Sequence, residues 1–275
     1  MALSSSLPIP PRPFLKWAGG KSRLIVQYQP FLPQAFDTYY EPFLGGGALF
    51  FYLRPQRAVL SDINPELVNV YTCVRDRVEE LIEQLTHHAA HHGQDYYYQM
   101  RAETPEPPVA RAARLIYLNK TCFNGLYRVN AQGQFNVPMG RYSNPKICDR
   151  DLLQAASEAL QSATIVQRSF HQILEANITP QDFVYFDPPY QPLSVTSNFT
   201  GYSRDAFTAA HQIQLRDIFA QLAQHQVQVL LSNSDCPFIR ELYQDFPIQT
   251  IHAARAINVH AQKRGKINEV LVTAP

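Results

Sequence analysis

The most constraining stretch of this chain is Phe183-Val184-Tyr185-Phe186, which runs directly into Asp187-Pro188-Pro189-Tyr190. Four consecutive apolar residues without alternation leave no face for water, the pattern of a strand buried inside a parallel sheet. The two prolines end that strand, because each lacks a backbone donor and fixes its own φ. Asp187 therefore stands at a strand's carboxyl end, where open α/β sheets place their ligand sites. Asp187 and the Pro188 carbonyl offer two acceptors, Pro189 stiffens the turn, and Tyr190 adds a flat face. This set suits a planar ring carrying an exocyclic amine. Two acceptors on the amine hydrogens favour a more tetrahedral nitrogen with its lone pair aimed at an electrophile, while the ring stacks on the tyrosine. The plainer alternative is a Pro-Pro loop cap with no chemical task.

Other segments extend the α/β pattern. Residues 38–43 predict a strand that turns through Leu44-Gly45-Gly46-Gly47 into an apolar helix over Ala48–Leu53. Glycines there let a ligand approach the backbone closely. Phe50 occupies the place of the third glycine of a dinucleotide fingerprint, so a smaller adenosyl ligand fits better than a nicotinamide. Residues 58–61 predict a strand ending at Asp62, placed to accept from ribose hydroxyls or to cap the helix starting at Asn64-Pro65-Glu66. Gly20-Lys21-Ser22 imitates a phosphate-binding loop, but Leu15 stands where that motif needs glycine. Further strands are expected at 164–168, 182–186 and 227–231, with a helix over 205–224. An antiparallel pair is expected at 248–260 and 267–274, with a basic tip at 262–266.

Between these halves the periodicity is helical, over 65–85 running towards Gly93 and again over 109–119. His87, His88, His91 and His92 form two i, i+4 pairs, metal-like in spacing but without an acidic third ligand; an exposed helix end accounts for them equally well. Lys120 to Asn130 and Gln134 to Tyr142 then interleave aromatics, amides, arginines and glycines, a set suited to stacking on bases, reading base edges and holding phosphates. The alternative is a polar loop packed on its own domain. Net charge is only +1, yet residues 101–150 hold eight Lys and Arg against three acidic residues, so positive charge is concentrated. Four dispersed cysteines indicate neither a zinc site nor a disulfide framework, and no apolar run approaches the roughly 18 residues of a membrane helix.

On these residues the chain resembles the Dam-type DNA adenine-N6 methyltransferases (D12 class, alpha-type motif order). The likeness is carried by Lys16-Trp17-Ala18-Gly19-Gly20-Lys21, Glu41-Pro42-Phe43 with Gly45 and Gly47, and Asp62-Ile63-Asn64. It continues in Phe123-Asn124-Gly125-Leu126, Phe135-Asn136-Val137-Pro138 with Gly140-Arg141-Tyr142, and Asp187-Pro188-Pro189-Tyr190. The resemblance implies a Rossmann-like S-adenosylmethionine-dependent methyltransferase sheet in residues 1–66 and 152–275, with an inserted, mainly helical target-recognition domain at 67–151. It implies cofactor contacts from Trp17, Lys21, Phe43, Gly45, Gly47, Asp62 and Asp187, and chemistry at Asp187, Pro188, Pro189 and Tyr190. DNA contacts are expected from Lys120, Phe123, Asn124, Leu126, Arg128, Asn130, Asn136, Pro138 and Arg141, and from Lys263 and Lys266 at the hairpin tip. Phe123 falls where the family has an aromatic that inserts into the duplex. Lys120, Tyr127 and Met139 depart from the family's usual residues, which bears on contact strength.

The expected reaction is methyl transfer to the adenine 6-amino group of duplex DNA, in GATC, by base flipping, leaving S-adenosylhomocysteine and needing no metal. The rivals are a cytosine 4-amino or RNA adenine substrate, and a non-catalytic DNA-binding relative. The expected setting is the cytoplasm of a bacterium, at the nucleoid, with no membrane attachment. Double-stranded DNA is the expected partner, a cognate restriction endonuclease a compatible one, and a monomer the expected state.

Overall fold

The computed structural model describes residues 9–192, 207–254 and 266–275. Among them run β1 (Tyr39–Glu41), β2 (Ala58–Asp62), β3 (Ala163–Gln167), β4 (Phe183–Phe186), β5 (Gln228–Ser234), β6 (Ile248–Ala254) and β7 (Lys266–Ala274). They form one sheet in the order β3-β2-β1-β4-β5-β7-β6. β1 pairs in parallel with β2 and β4, and β4 with β5, whereas β7 runs antiparallel between β5 and β6. The strand order reverses between β1 and β4, so the carboxyl end of β4 borders the switch point at which open sheets bind ligands. This is the mixed α/β architecture of a Rossmann-like methyltransferase.

The helices among the described residues are α1 (Ile25–Tyr28), α2 (Ala48–Leu53), α3 (Pro65–Asp76), α4 (Val78–Ala90), α5 (Gln94–Ala102), α6 (Pro108–Thr121), α7 (Arg150–Leu160), α8 (Ala209–Gln224) and α9 (Pro237–Leu242). None is long and apolar enough to cross a membrane. The chain divides into two compact units. One comprises Met1–Gly20, Gly45–Arg54 and Asn64–Ile165, the other Lys21–Leu44, Pro55–Ile63 and Val166–Pro275.

In the sheet-bearing unit, all four residues of β4 are buried, as an unalternating apolar run requires. Val184, Phe186, Val229, Leu231, Val270 and Val272 pack with Leu215, Phe219 and Leu222 of α8, each large side chain contributing about 1.5–3 kcal/mol on burial. β5 runs three residues past the expected end at Leu231. Pairing of Ser232, Asn233 and Ser234 with Leu271, Val270 and Glu269 of β7 carries the strand on through polar residues, which apolar patterning alone would read as its end. Lys263 lies outside the described residues, and of Lys266 only the backbone position at the start of β7 is described.

In the helical unit, the expected continuous helix from Pro65 breaks at Arg77, whose backbone leaves helical values (φ −139°, ψ 39°). The break lets α3 and α4 both pack on α6, burying Leu67, Val70 and Val74 from one and Leu81, Ile82 and Leu85 from the other. Arg77 pairs with Glu80 in the first turn of α4, a favourable place for acidic charge. Asn64 caps α3, its side chain accepting from the Glu66 amide at 3.0 Å. Asp62 is therefore not needed as the cap.

Candidate active site

Strand β4 delivers Asp187 to its carboxyl end, half-buried. The Lys21 ammonium, only 3% exposed, lies 2.8 Å from Asp187 Oδ1. The Ser232 hydroxyl of β5 donates to the same oxygen at 2.8 Å, and Tyr185 Oη lies 3.0 Å from Ser232 Oγ. Among the described residues both contacts to the carboxylate thus fall on one oxygen, leaving Oδ2 to meet a ligand. A carboxylate anchored through one oxygen by a lysine and a hydroxyl is fixed in orientation while keeping acceptor capacity.

The residues after Asp187 are held as firmly. Gln212 Nε2 of α8 donates to the Pro189 carbonyl at 3.0 Å, and the Gln212 Oε1 accepts from Asn233 Nδ2 at 2.9 Å. The Gln191 amide donates to Asn233 Oδ1 at 3.2 Å, and Ser234 Oγ donates to the Gln191 carbonyl at 2.8 Å. Between these clamps Tyr190 donates its hydroxyl to Glu269 of β7 at 2.7 Å, and Lys21 Nζ stands 4.6 Å from its ring centroid. Burial and the charge of Asp187 push the Tyr190 hydroxyl well above its ordinary range, so it remains a protonated donor. Burial also raises the Glu269 carboxyl, against the opposing influence of Lys21 and the Tyr190 hydrogen bond. Sequence patterning pointed to Asp187 to Tyr190, and the resemblance to Lys21, but neither named Ser232, Gln212, Asn233 or Glu269. The Ser232-Asn233-Ser234 run at the end of an apolar strand was the one available signal.

The remaining expected cofactor residues occupy defined surroundings. Asp62 ends β2, half-buried, and its carbonyl accepts from the Arg168 amide at 3.2 Å. Phe43 stacks on Phe170 at 5.4 Å and meets Phe186 and Phe207 edge-on, so it has a packing role whatever else it does. In the helical unit, Gly45 (φ 47°) and Gly47 (φ 61°) hold left-handed backbone, which side chains disfavour. The Gly45 carbonyl accepts from Tyr71 Oη at 3.1 Å, and a Cβ on Gly46 would approach the Trp17 Cβ to 3.4 Å. Trp17 itself stacks on Tyr127 (5.4 Å, 27°).

The expected DNA-contacting block belongs to the helical unit. Buried Asn119 receives the Lys16 amide at 2.8 Å and donates to the carbonyls of Lys16 (2.7 Å) and Gly125 (3.0 Å). It thereby anchors a 3₁₀ turn, Phe123–Gly125, on which Phe123 is 49% exposed. Gly125 has a positive φ (64°), and a Cβ there would come within 2.5 Å of Lys16 Cβ, so glycine is required. Arg128 donates to the Asn136 side chain through Nε (2.7 Å) and to its carbonyl through Nη2 (3.2 Å). This locks the fork across the bridge between Val129 and Phe135. Asn130 Oδ1 accepts from the Gln132 and Gln134 amides, so this residue closes the turn beyond that bridge. Asn124, Pro138 and Arg141 are exposed, Leu126 is partly so, and Lys120 lies in the last turn of α6. Burial and the nearby Lys16 pull the Lys120 ammonium down to about 8. The histidines are otherwise occupied: His88 bonds Tyr96 at 2.7 Å and His92 bonds Tyr117 at 3.0 Å. Among the described residues no group of three or more His, Cys, Asp or Glu could hold a metal ion.

Comparison with known proteins identifies the family. A family profile described as "D12 class N6 adenine-specific DNA methyltransferase" matches residues 17–257. The type II methyltransferase M1.LlaDCHI of Lactococcus lactis subsp. cremoris is 46% identical over 270 residues, covering 95% of each chain. The type II methyltransferase M.MjaIII of Methanocaldococcus jannaschii is 39% identical, covering 92% of this chain and 95% of its own. The DNA adenine methylase of Escherichia coli (strain K12) is 36% identical, covering 94% of both. With a profile match over most of its length, relatives of full-length similarity and a strand-end Asp-Pro-Pro-Tyr in a Rossmann-like sheet, this chain belongs to the D12 class N6 adenine-specific DNA methyltransferases.

Proposed function

We propose that this enzyme methylates adenine in GATC of duplex DNA, extruding the base from the helix onto Tyr190 and delivering its 6-amino group to Asp187 and the Pro188 carbonyl. The observation that carries this reading is the one-sided anchoring of Asp187: Lys21 and Ser232 both engage Oδ1, so Oδ2 can accept one amine hydrogen while the Pro188 carbonyl takes the other. Removal of those hydrogens' freedom aims the nitrogen lone pair along one direction. S-adenosylmethionine, the methyl donor of such an enzyme, supplies an electrophilic methyl group on a sulfonium. On this reading Asp62 accepts from its ribose, Gly45 and Gly47 admit it to the backbone, and Trp17, Lys21 and Phe43 complete its contacts. The exposed Phe123 enters the gap left by the extruded base. Arg128 reads a guanine edge, Asn124, Leu126, Asn136 and Pro138 contribute to base recognition, and Lys120, Asn130, Arg141, Lys263 and Lys266 hold the backbone. Residues 67–151 act as the recognition segment.

Plasmid DNA from cells expressing the protein tests the reading. Resistance to a GATC endonuclease blocked by adenine methylation, with 6-methyladenine as the new nucleoside after complete digestion, is the expected result. Methyl-4-cytosine in its place, or 6-methyladenine in a different sequence, would overturn the substrate or the site respectively. A chain that works beside a cognate endonuclease would protect the same sequence that the endonuclease cleaves.

A further inference from the structure

The Tyr190 backbone is fixed on both sides, and its ring is held separately. The chain before it is held by Gln212 on the Pro189 carbonyl, and the chain after it by Asn233 and Ser234 on Gln191. These clamps set the Tyr190 backbone but leave its side-chain torsions free. The far end of the ring is tied by its hydroxyl, which donates at 2.7 Å to Glu269 Oε2, with the Ser232 hydroxyl as a neighbouring hydrogen-bond partner. The backbone of Glu269 is fixed in turn. It is paired with Ser234 and Ile251 in the central antiparallel strand β7, flanked on both sides by partners. Lys21 contributes a second constraint of a different kind, a cation 4.6 Å over the ring that also binds Asp187.

We infer that Glu269 is a positioning residue for methyl transfer: its carboxylate holds the Tyr190 ring at the angle on which the target base must stack for its amine to reach Asp187. This rests on the assignment of Asp187 to Tyr190 as the target-base pocket. Glu269 has no contact of its own with the reacting atoms in this arrangement, so it acts through Tyr190. Loss of the bond leaves the backbone of the turn in place and frees the ring to rotate. Misplacement of a stacked base by a fraction of its width lowers the productive fraction of complexes without weakening the cofactor's own contacts.

A double-mutant cycle tests this with Glu269→Met, which keeps length and removes the acceptor, and Tyr190→Phe, which keeps the ring and removes the donor. Glu269→Gln keeps a neutral acceptor at the same reach. Single-turnover methylation of a GATC duplex, the KM for S-adenosylmethionine and thermal melting would be measured for each. Glu269→Met and Tyr190→Phe should each lower the methylation rate about tenfold, the scale of one lost hydrogen bond to a charged group. The double variant should be no slower than either single one, Glu269→Gln should recover most of the rate, and the KM should not move. Losses that multiply in the double variant would show that Glu269 acts elsewhere, and a raised KM with an intact rate would place its action on Lys21. Should Glu269→Met fail to fold, Glu269→Gln in the Tyr190→Phe background decides: no further loss supports the inference and a further loss overturns it. Failure of the wild type to make 6-methyladenine would instead remove the pocket assignment on which the inference stands.

Discussion

The Asp187 cluster and the block from Lys120 to Tyr142 are both rich in polar side chains, but they are built in opposite ways. Asp187, Tyr190, Ser232 and Glu269 come from strands or strand ends, and each is held by a buried or half-buried partner. The other block is irregular chain, with Phe123, Asn124, Arg128 and Arg141 exposed and their supports short-range, as in the clasp of Arg128 on Asn136. Chemistry needs atoms fixed to fractions of an ångström, which strands and buried networks supply. Reading a groove needs side chains that reach out of the surface, which a loop supplies. Defects in the first region should therefore cost rate on every substrate, and defects in the second should cost affinity or selectivity.

The largest effect is expected from Asp187→Ala. Losing one preorganised contact in an active site costs on the order of 10² to 10³ in rate, and Asp187 joins the amine acceptor to the Lys21 and Ser232 network. A folded variant with wild-type single-turnover rates would put the chemistry elsewhere. Ser232→Ala should come next, at roughly 1.5–3 kcal/mol, the scale of a hydrogen bond to a charged group. Here the rate should fall while binding of the duplex in gel-shift titration stays put.

Smaller and more selective is Arg128→Ala, which should cost about 1–3 kcal/mol on GATC and much less on a duplex in which its guanine is replaced. Asn136→Ala frees the same fork and should relax the same base preference to a lesser degree, a pairing checked by competition between all single-base variants of the site. Equal losses on every duplex would make Arg128 a phosphate contact. The mildest expectation concerns Lys120, whose ammonium is pulled down to about 8. Its charge is present at pH 7 and is lost as pH rises through 8, so duplex affinity of the wild type should weaken between pH 7 and 9. Lys120→Arg, charged throughout, should flatten that dependence in fluorescence-anisotropy titrations. An identical pH profile in both would remove Lys120 from the interface.

The two regions also differed in what the sequence disclosed. Asp187-Pro188-Pro189-Tyr190 was legible because its parts are contiguous and follow an apolar run that could only be a buried strand. Its supporting residues were not, since Ser232 is 45 positions from Asp187 and Glu269 is 79 from Tyr190. Only the pairing of β4 with β5 and β5 with β7 brings them near, and strand pairing is a long-range fact. The same holds for Asn119, which reads as an ordinary helix residue until it binds Lys16, 103 positions away. The break at Arg77 lacks any Gly or Pro, and it follows from the need of α3 and α4 to share the surface of α6. In the other block composition announced the kind of surface, while the individual tasks of Asn130 in closing a turn and Asn136 in holding Arg128 emerged only with the fold.

One measurement tests this division most directly: dissociation constant and single-turnover methylation rate, determined together on one GATC duplex for the wild type, Asp187→Ala and Arg128→Ala at saturating S-adenosylmethionine. The division predicts that Asp187→Ala binds the duplex as the wild type does and transfers methyl at least a hundredfold more slowly, whereas Arg128→Ala binds more weakly and, once saturated, transfers at a rate close to that of the wild type. A fall of affinity and rate together, by the same factor in both variants, would contradict it.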